Sequence, residues 1–137
     1  MRIIFADTGY WLATIHPRDG LHRAAREILP RLGEYRIITS DMVLVEVLNA
    51  VSAQGSHPRK DAAVLVEQII DPPDIEIVPQ TPELFRAAFA LYRERPDKNW
   101  SLTDCASFLI MDERKITEAL THDGHFEQKG YRALLRG

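Results

Sequence analysis

Short apolar runs alternating with helical stretches constrain this chain more than any other feature. Arg2–Ala6 is an apolar run ending at an aspartate, and Arg36–Thr39, Ile75–Val78 and Ala119–Thr121 are further β-like runs. Tyr131–Leu134 is a short one, expected at a sheet edge. Helices are expected between them. A short one falls around Tyr10–Thr14, and a second over Asp19–Leu32 with Leu21, Ala24, Ala25, Ile28 and Leu29 on one stripe. Ser40 is an N-cap type ahead of a long apolar helix to about Ala53. Gly55–Pro58 reads as a loop, and Arg59–Ile70 as an amphipathic helix stopped by Pro72-Pro73. Thr81-Pro82 places a cap before proline at the first helical position, opening a helix to about Glu94. After the polar loop Pro96–Trp100, another helix starts near Ser101 or Thr103 and runs to about Arg114. Strands separated by helices pair in parallel through right-handed connections, with helices on both faces. The expected class is α/β with a mainly parallel sheet; strand order is not encoded in this pattern.

The 137 residues fit one domain around one core, without repeat, linker or low-complexity tract. Cys105 is the sole cysteine, so an internal disulfide is impossible, and a reducing compartment fits. The opening MRIIFADTGYW is broken by Asp7 and is too short to be a secretory signal or a membrane span. A cytoplasmic protein without membrane association is expected. The net charge of −3 argues against binding nucleic acid by bulk charge alone. It is compatible with an enzyme that cuts nucleic acid, because anionic groups that hold metal lower the net charge.

Four carboxylates stand where this architecture puts chemistry. Asp7 follows the first strand, and open α/β sheets bind ligands at the carboxyl ends of strands. Capping the next helix is the alternative. Glu46 sits among Met42, Val43, Leu44, Val45, Val47 and Leu48, in a helix apolar on all sides and so expected to be largely buried. An ionised carboxylate there is costly unless it meets a cation, a metal or hydrogen bonds. An internal ion pair or an exposed seam would also account for it. Asn49, three residues on, is either a partner of Glu46 or a polar surface position. Asp104 opens another mostly apolar helix, and Ser101 to Asp104 has the form of a capping box. Cap and ligand roles are compatible, since both put the carboxylate at a helix N-terminus. Asp123 precedes Gly124, a common turn pair, but it also follows the strand Ala119–Thr121.

All four acids can converge on one rim of a parallel sheet. Unpaired acids held that close raise one another's pKa values, so a cluster of four calls for a hard cation. Mg²⁺ takes oxygen ligands and keeps several waters, and Mn²⁺ accepts the same set. No His/Cys pattern supports zinc. A metal can lower the pKa of a water, and a second can stabilise the leaving oxygen of a phosphodiester, with no protein nucleophile required.

The chain resembles PIN-domain proteins, and within them the VapC-like toxins of bacterial toxin–antitoxin pairs. The matching pieces are Ile3-Ile4-Phe5-Ala6-Asp7-Thr8 and Thr39-Ser40-Asp41 leading to Val45-Glu46-Val47-Leu48-Asn49. Then come Trp100-Ser101-Leu102-Thr103-Asp104-Cys105 and Ala119-Leu120-Thr121-His122-Asp123-Gly124-His125-Phe126. They occur in the family's order and span nearly the whole chain, taken as a single domain over 1–137. The resemblance implies a three-layer α/β/α sandwich with a central, mainly parallel sheet. It implies a Mg²⁺- or Mn²⁺-dependent endoribonuclease hydrolysing RNA phosphodiester bonds. Asp7, Glu46, Asp104 and Asp123 match the family's acidic quartet, catalytic and metal-ligating, and Thr8 and Thr121 match hydroxyl positions near the metal. Gly9 departs from the pattern, in which a polar residue often follows Asp-Thr. The resemblance also implies a homodimer and a small antitoxin that blocks the acidic cleft. A PIN-fold protein in RNA processing outside such a pair, or a catalytically silent partner-binding module, is the alternative.

Basic residues that could steer RNA are Arg18, Arg23, Arg26 and Arg93, with Arg95 and Lys98 favoured because their loop feeds into the Asp104 helix. Tyr10, Trp11 and Trp100 flank site segments and are read as packing residues before base-stacking ones. His122 and His125 lie beside Asp123, where one can contact substrate. A receiver-type signalling domain or an aspartyl phosphatase would need acids that Gly9 and its neighbours do not supply. A structure-specific DNA nuclease of related fold tends to be longer. The RNA target (tRNA, ribosomal RNA or messenger RNA) stays open at this level.

Overall fold

In the computed structural model, which describes residues 1–136, strand β1 (Arg2–Ala6) lies at the centre of a five-stranded sheet. Ile4, Phe5 and Ala6 are fully buried, as befits an apolar run in a parallel sheet covered on both faces. β2 (Tyr35–Ser40) and β3 (Ile75–Val78) extend the sheet to one side, and β4 (Glu118–Leu120) and β5 (Arg132–Ala133) to the other. The order is β3-β2-β1-β4-β5, every pairing is parallel, and β5 is the expected edge. β1 aligns Ile4 with Ile37 on one side and Ala6 with Leu120 on the other.

Chain order then dictates the layers. Helices α1 (Thr8–Ile15) and α2 (His22–Glu27) link β1 to β2, and α3 (Asp41–Val51) and α4 (Ser56–Ile70) link β2 to β3. α5 (Pro82–Glu94) and α6 (Leu102–Arg114) carry the chain back across the sheet to β4, and α7 (Gly124–Gln128) leads to β5. The direction of sheet growth reverses between β1 and β4. Right-handed crossovers therefore put the first four helices on one face and the last three on the other. The packing follows this division, with α1 against α2, α3 and α4 and α6 against α5 and α7; α3 also meets α6. This is the expected three-layer sandwich. The reversal opens a crevice at the carboxyl ends of β1 and β4.

Local chemistry sets the element boundaries. Ser40 Oγ accepts the Val43 N–H at 3.2 Å, and Thr81 Oγ1 accepts that of Leu84 at 3.0 Å, as their residue types predict. The single helix expected over Asp19–Leu32 is instead α2 followed by a 3-10 turn, Leu29–Arg31. Pro30 has no N–H and crowds the preceding turn, so the α-helix stops before it. The Asp19 carboxylate accepts the Leu21 N–H at 2.8 Å, an Asx turn that delays the helix start. α4 begins at Ser56 rather than Arg59, with Pro58 in a first turn whose amides need no helical partner.

The reading of α3 as buried on all sides is corrected. Val43 and Val47 are fully buried, but Val45 is 54% and Leu48 38% exposed, and Glu46 is half-buried. Only one flank of α3 meets the sheet and its neighbouring helices, so its apolar residues divide between core and surface. On the other face, Trp100, Phe108 and Phe126 form a chain of edge-to-face pairs with centroids 5.1 Å apart. They lock the start of α6 against α7. Tyr10, Trp11 and Trp100 are all buried packing residues. Among the described residues, no helix is long and apolar enough to cross a membrane.

Candidate active site

The crevice between β1 and β4 holds acids from four separate segments. Asp7 follows β1 directly, and its N–H bonds to the Leu120 carbonyl at 3.2 Å, which fixes it over the β1–β4 seam. Its side chain occupies the N-cap position of α1 but makes no capping hydrogen bond, so capping does not account for it. Instead the Thr121 hydroxyl donates to Asp7 Oδ2 at 3.1 Å and accepts the Asp123 N–H at 3.0 Å. Thr121, 1% exposed, thereby ties the end of β1 to the turn after β4.

Asp104 completes the capping box read from the sequence. Its N–H donates to Ser101 Oγ at 3.0 Å, and its Oδ2 accepts the Ser101 N–H at 3.0 Å. Oδ2 also lies 3.1 Å from His125 Nδ1. Asp123 is more than half of a turn: it N-caps α7, with Oδ1 accepting the His125 N–H at 2.9 Å. Glu46 reaches the same cleft from α3. No basic side chain pairs with it among the described residues, so the internal ion pair is absent.

These acids line one cleft of about 500 Å³, with Thr8 and Thr121 beside them. Among the described residues, neither lysine nor arginine lines it. Asp7 feels this most. Burial is the main cause that pushes its pKa from 3.8 up to about 7. The charges of Asp104 and Glu46 push the same way, while the Thr8 N–H and the Thr121 hydroxyl pull it back. Asp104 is also raised, first by burial and then by Asp123, against the pull of Ser101 and His125. Thr8 Oγ1 is buried at the cleft without a hydrogen-bond partner. Hard oxygen donors, the lack of a lysine or arginine counter-charge among the described residues, and an orphaned hydroxyl together fit a divalent cation. Oxygens of Asp104 and Asp123 and a ring nitrogen of His125 lie within 4.8 Å of one another, a group that could hold one.

Of the other residues singled out from the sequence, His122 and His125 line the cleft, and Asn49, Arg95 and Lys98 lie elsewhere. Asn49 is exposed and does not line the acidic cleft. It shares a shallow groove with Glu46 and Gln80, and borders a separate one of about 700 Å³ between α3 and α4. Arg95 and Lys98 do not line the cleft either. Their charged ends lie 5.1 and 5.9 Å from the centroid of the Trp100 ring, and Arg95 forks onto Asp97 at 2.9 and 3.0 Å. The cleft does contain Asn99, which the sequence marked only as part of a polar loop. The His125–Asp104 contact joins residues 21 positions apart, beyond any local pattern.

Comparison with known proteins places this geometry. Residues 4–130 match the family model described as the PIN domain. The 23S rRNA-specific endonuclease VapC20 of Mycobacterium tuberculosis, from two strains, is 26% identical over 129 residues, covering 94% of this chain and 95% of the relative. The crystal structure of M. tuberculosis VapC20, titled a sarcin-ricin loop cleaving toxin, superposes with a TM-score of 0.84 at 23% identity, covering 93% of this chain and 95% of that one. VapBC2 from Rickettsia felis, solved with a DNA fragment from the promoter, gives a TM-score of 0.64 at 16% identity over 96% of each chain. With its acids at the carboxyl ends of a sheet of order β3-β2-β1-β4-β5 and a family match over nearly its whole length, this chain belongs to the PIN-domain family of nucleases.

Proposed function

We propose that this protein is a Mg²⁺- or Mn²⁺-dependent endoribonuclease and the toxin of a type II toxin–antitoxin pair. Asp7, Glu46, Asp104 and Asp123 are its catalytic and metal-holding acids. The observation that carries the reading is the convergence of Glu46, Asp104 and Asp123 on the buried Asp7, with no lysine or arginine in the cleft among the described residues. A phosphodiester is itself anionic, and these residues alone would repel it.

Asp7, Asp104, Asp123 and Glu46 would hold the cation. When bound, it supplies charge neutralisation beside the scissile phosphate and a water of lowered pKa. The chain's own residues do the rest. Thr121 orients Asp7 through the hydroxyl donated to Oδ2. Ser101 fixes the rotation of Asp104 through the capping box. Thr8 Oγ1 offers an uncommitted hydroxyl to a phosphate oxygen or a water. Asn99 and His122 stand at the cleft with polar groups suited to an adjacent nucleotide.

The relative's name makes 23S ribosomal RNA the first substrate to try. Purified protein in Mg²⁺ is incubated with intact ribosomes and with bare total RNA, and new RNA ends are mapped. A discrete cut in the large ribosomal RNA supports the ribosomal target. Cuts confined to transfer or messenger RNA move the target, and no cut in Mg²⁺ or Mn²⁺ refutes the nuclease reading. A small antitoxin that covers the cleft and a second copy of the chain are the partners included in the proposal. Co-expression with the product of the adjoining gene, followed by light scattering, tests both.

A further inference from the structure

We propose that His125 is a positioning residue that holds Asp104 and Asp123 at the separation a divalent cation spans, an inference that rests on the metal-dependent reading above. The two acids come from different elements, Asp104 from the first turn of α6 and Asp123 from the cap of α7. Like charges brought this close repel, so something has to hold them. His125 Nδ1 lies 3.1 Å from Asp104 Oδ2 and 3.3 Å from Asp123 Oδ1. Ionised carboxylate oxygens only accept, so the hydrogen-bond network assigns a hydrogen to Nδ1, shared between the two. A nitrogen committed in this way has no free lone pair for a metal, so of the group Asp104, Asp123 and His125 only the two carboxylates are ligands. The ring acts on its neighbours' orientation, as the outer partners of metal sites do.

The ring is itself well placed for this. Its main-chain N–H donates to Asp123 Oδ1 at 2.9 Å, and the next residue, Phe126, is fully buried against Phe108. Thr121 makes the matching bridge from Asp7 to the Asp123 backbone. Two side chains thus string three acids together in the order Asp7, Thr121, Asp123, His125, Asp104. Glu46 stands outside this string and faces it from α3.

The test is titration calorimetry with Mn²⁺ alone on wild type, His125→Leu and His125→Asn. Asparagine places an amide N–H near the position of Nδ1–H but lacks the far ring nitrogen. His125→Leu should bind Mn²⁺ about 10–100-fold more weakly, and His125→Asn should recover to within about threefold of wild type. Circular dichroism and melting in EDTA confirm that both variants fold. Leucine binding as tightly as wild type overturns the proposal, and so does asparagine binding as weakly as leucine. Wild type that takes up no Mn²⁺ sinks the metal reading and this inference together, whereas a binding wild type with an unaffected His125→Leu sinks this inference alone.

Discussion

In metal-free protein, Asp7→Asn should stabilise the fold above neutral pH, although it removes a central acid of the site. Burial, with Asp104 and Glu46 beside it, raises the Asp7 pKa from 3.8 to about 7 in the folded state. Because the folded value is the higher one, the Asp7 contribution is fully present below pH 3.8, is lost as the pH rises to about 7, and is flat beyond. About three pKa units at ~1.4 kcal/mol each give about 4 kcal/mol. Local relaxation and water entry reduce this, so a gain on the order of 2–4 kcal/mol at pH 8 is expected. Asparagine keeps the shape, and its carbonyl oxygen still accepts the Thr121 hydroxyl. At roughly 2–4 °C per kcal/mol for a chain of this size, the melting temperature rises by about 5–15 °C. Urea denaturation in EDTA at pH 4 and pH 8 measures it: the two proteins should be nearly equal at pH 4, with the variant ahead at pH 8. Added Mg²⁺ at pH 8 should narrow or reverse that gap, because a ligand of the folded wild type stabilises it alone. A variant no more stable than wild type at pH 8, or a gap of the same size at both pH values, would refute the reasoning.

Thr121→Val removes the hydroxyl that bridges Asp7 and the Asp123 backbone. It should cost about 1–3 kcal/mol in urea denaturation and lower the cleavage rate at unchanged metal concentration. Ser101→Ala breaks one half of the Asp104 capping box and should cost about 1 kcal/mol, measured the same way. Glu46→Gln sits half-exposed without an ion-pair partner, so stability should move by no more than about 0.5 kcal/mol. RNA cleavage by this variant should nevertheless fall at least about tenfold if Glu46 is one of the acids that hold the cation, as proposed.

Much of the fold was legible because the residues speak locally. The apolar β1 run, the Ser40 and Thr81 caps and the Ser101–Asp104 box each use chemistry contained within a few positions. Pro30 carries a local helix-stop signal too, but the apolar stripe from Leu21 to Leu29 continues the helical pattern right up to it. The apolar neighbours of Glu46 point to a helix buried on all sides, which the structure does not show. α3 exposes Val45 and Leu48, so burial on all sides does not single Glu46 out; its place on the flank facing Asp7 does. That placement depends on β2 and β4 lying on either side of β1, an order the alternation pattern leaves undetermined. The same dependence hid the His125–Asp104 bond and the presence of Asn99 in the cleft. Asn49 stays out of the acidic cleft for a different reason: three residues along α3 it shares only a side groove with Glu46 and borders the space between α3 and α4.

The central claim is tested most directly by cleavage of total cellular RNA by purified protein in Mg²⁺ or Mn²⁺, with EDTA, Asp7→Asn and Asp104→Asn run alongside. The expected result is cleavage by wild type that stops in EDTA, returns when the metal is restored, and is lost in both variants although each remains folded. Cleavage that persists in EDTA, or in both variants, would contradict a metal-dependent site built on these acids.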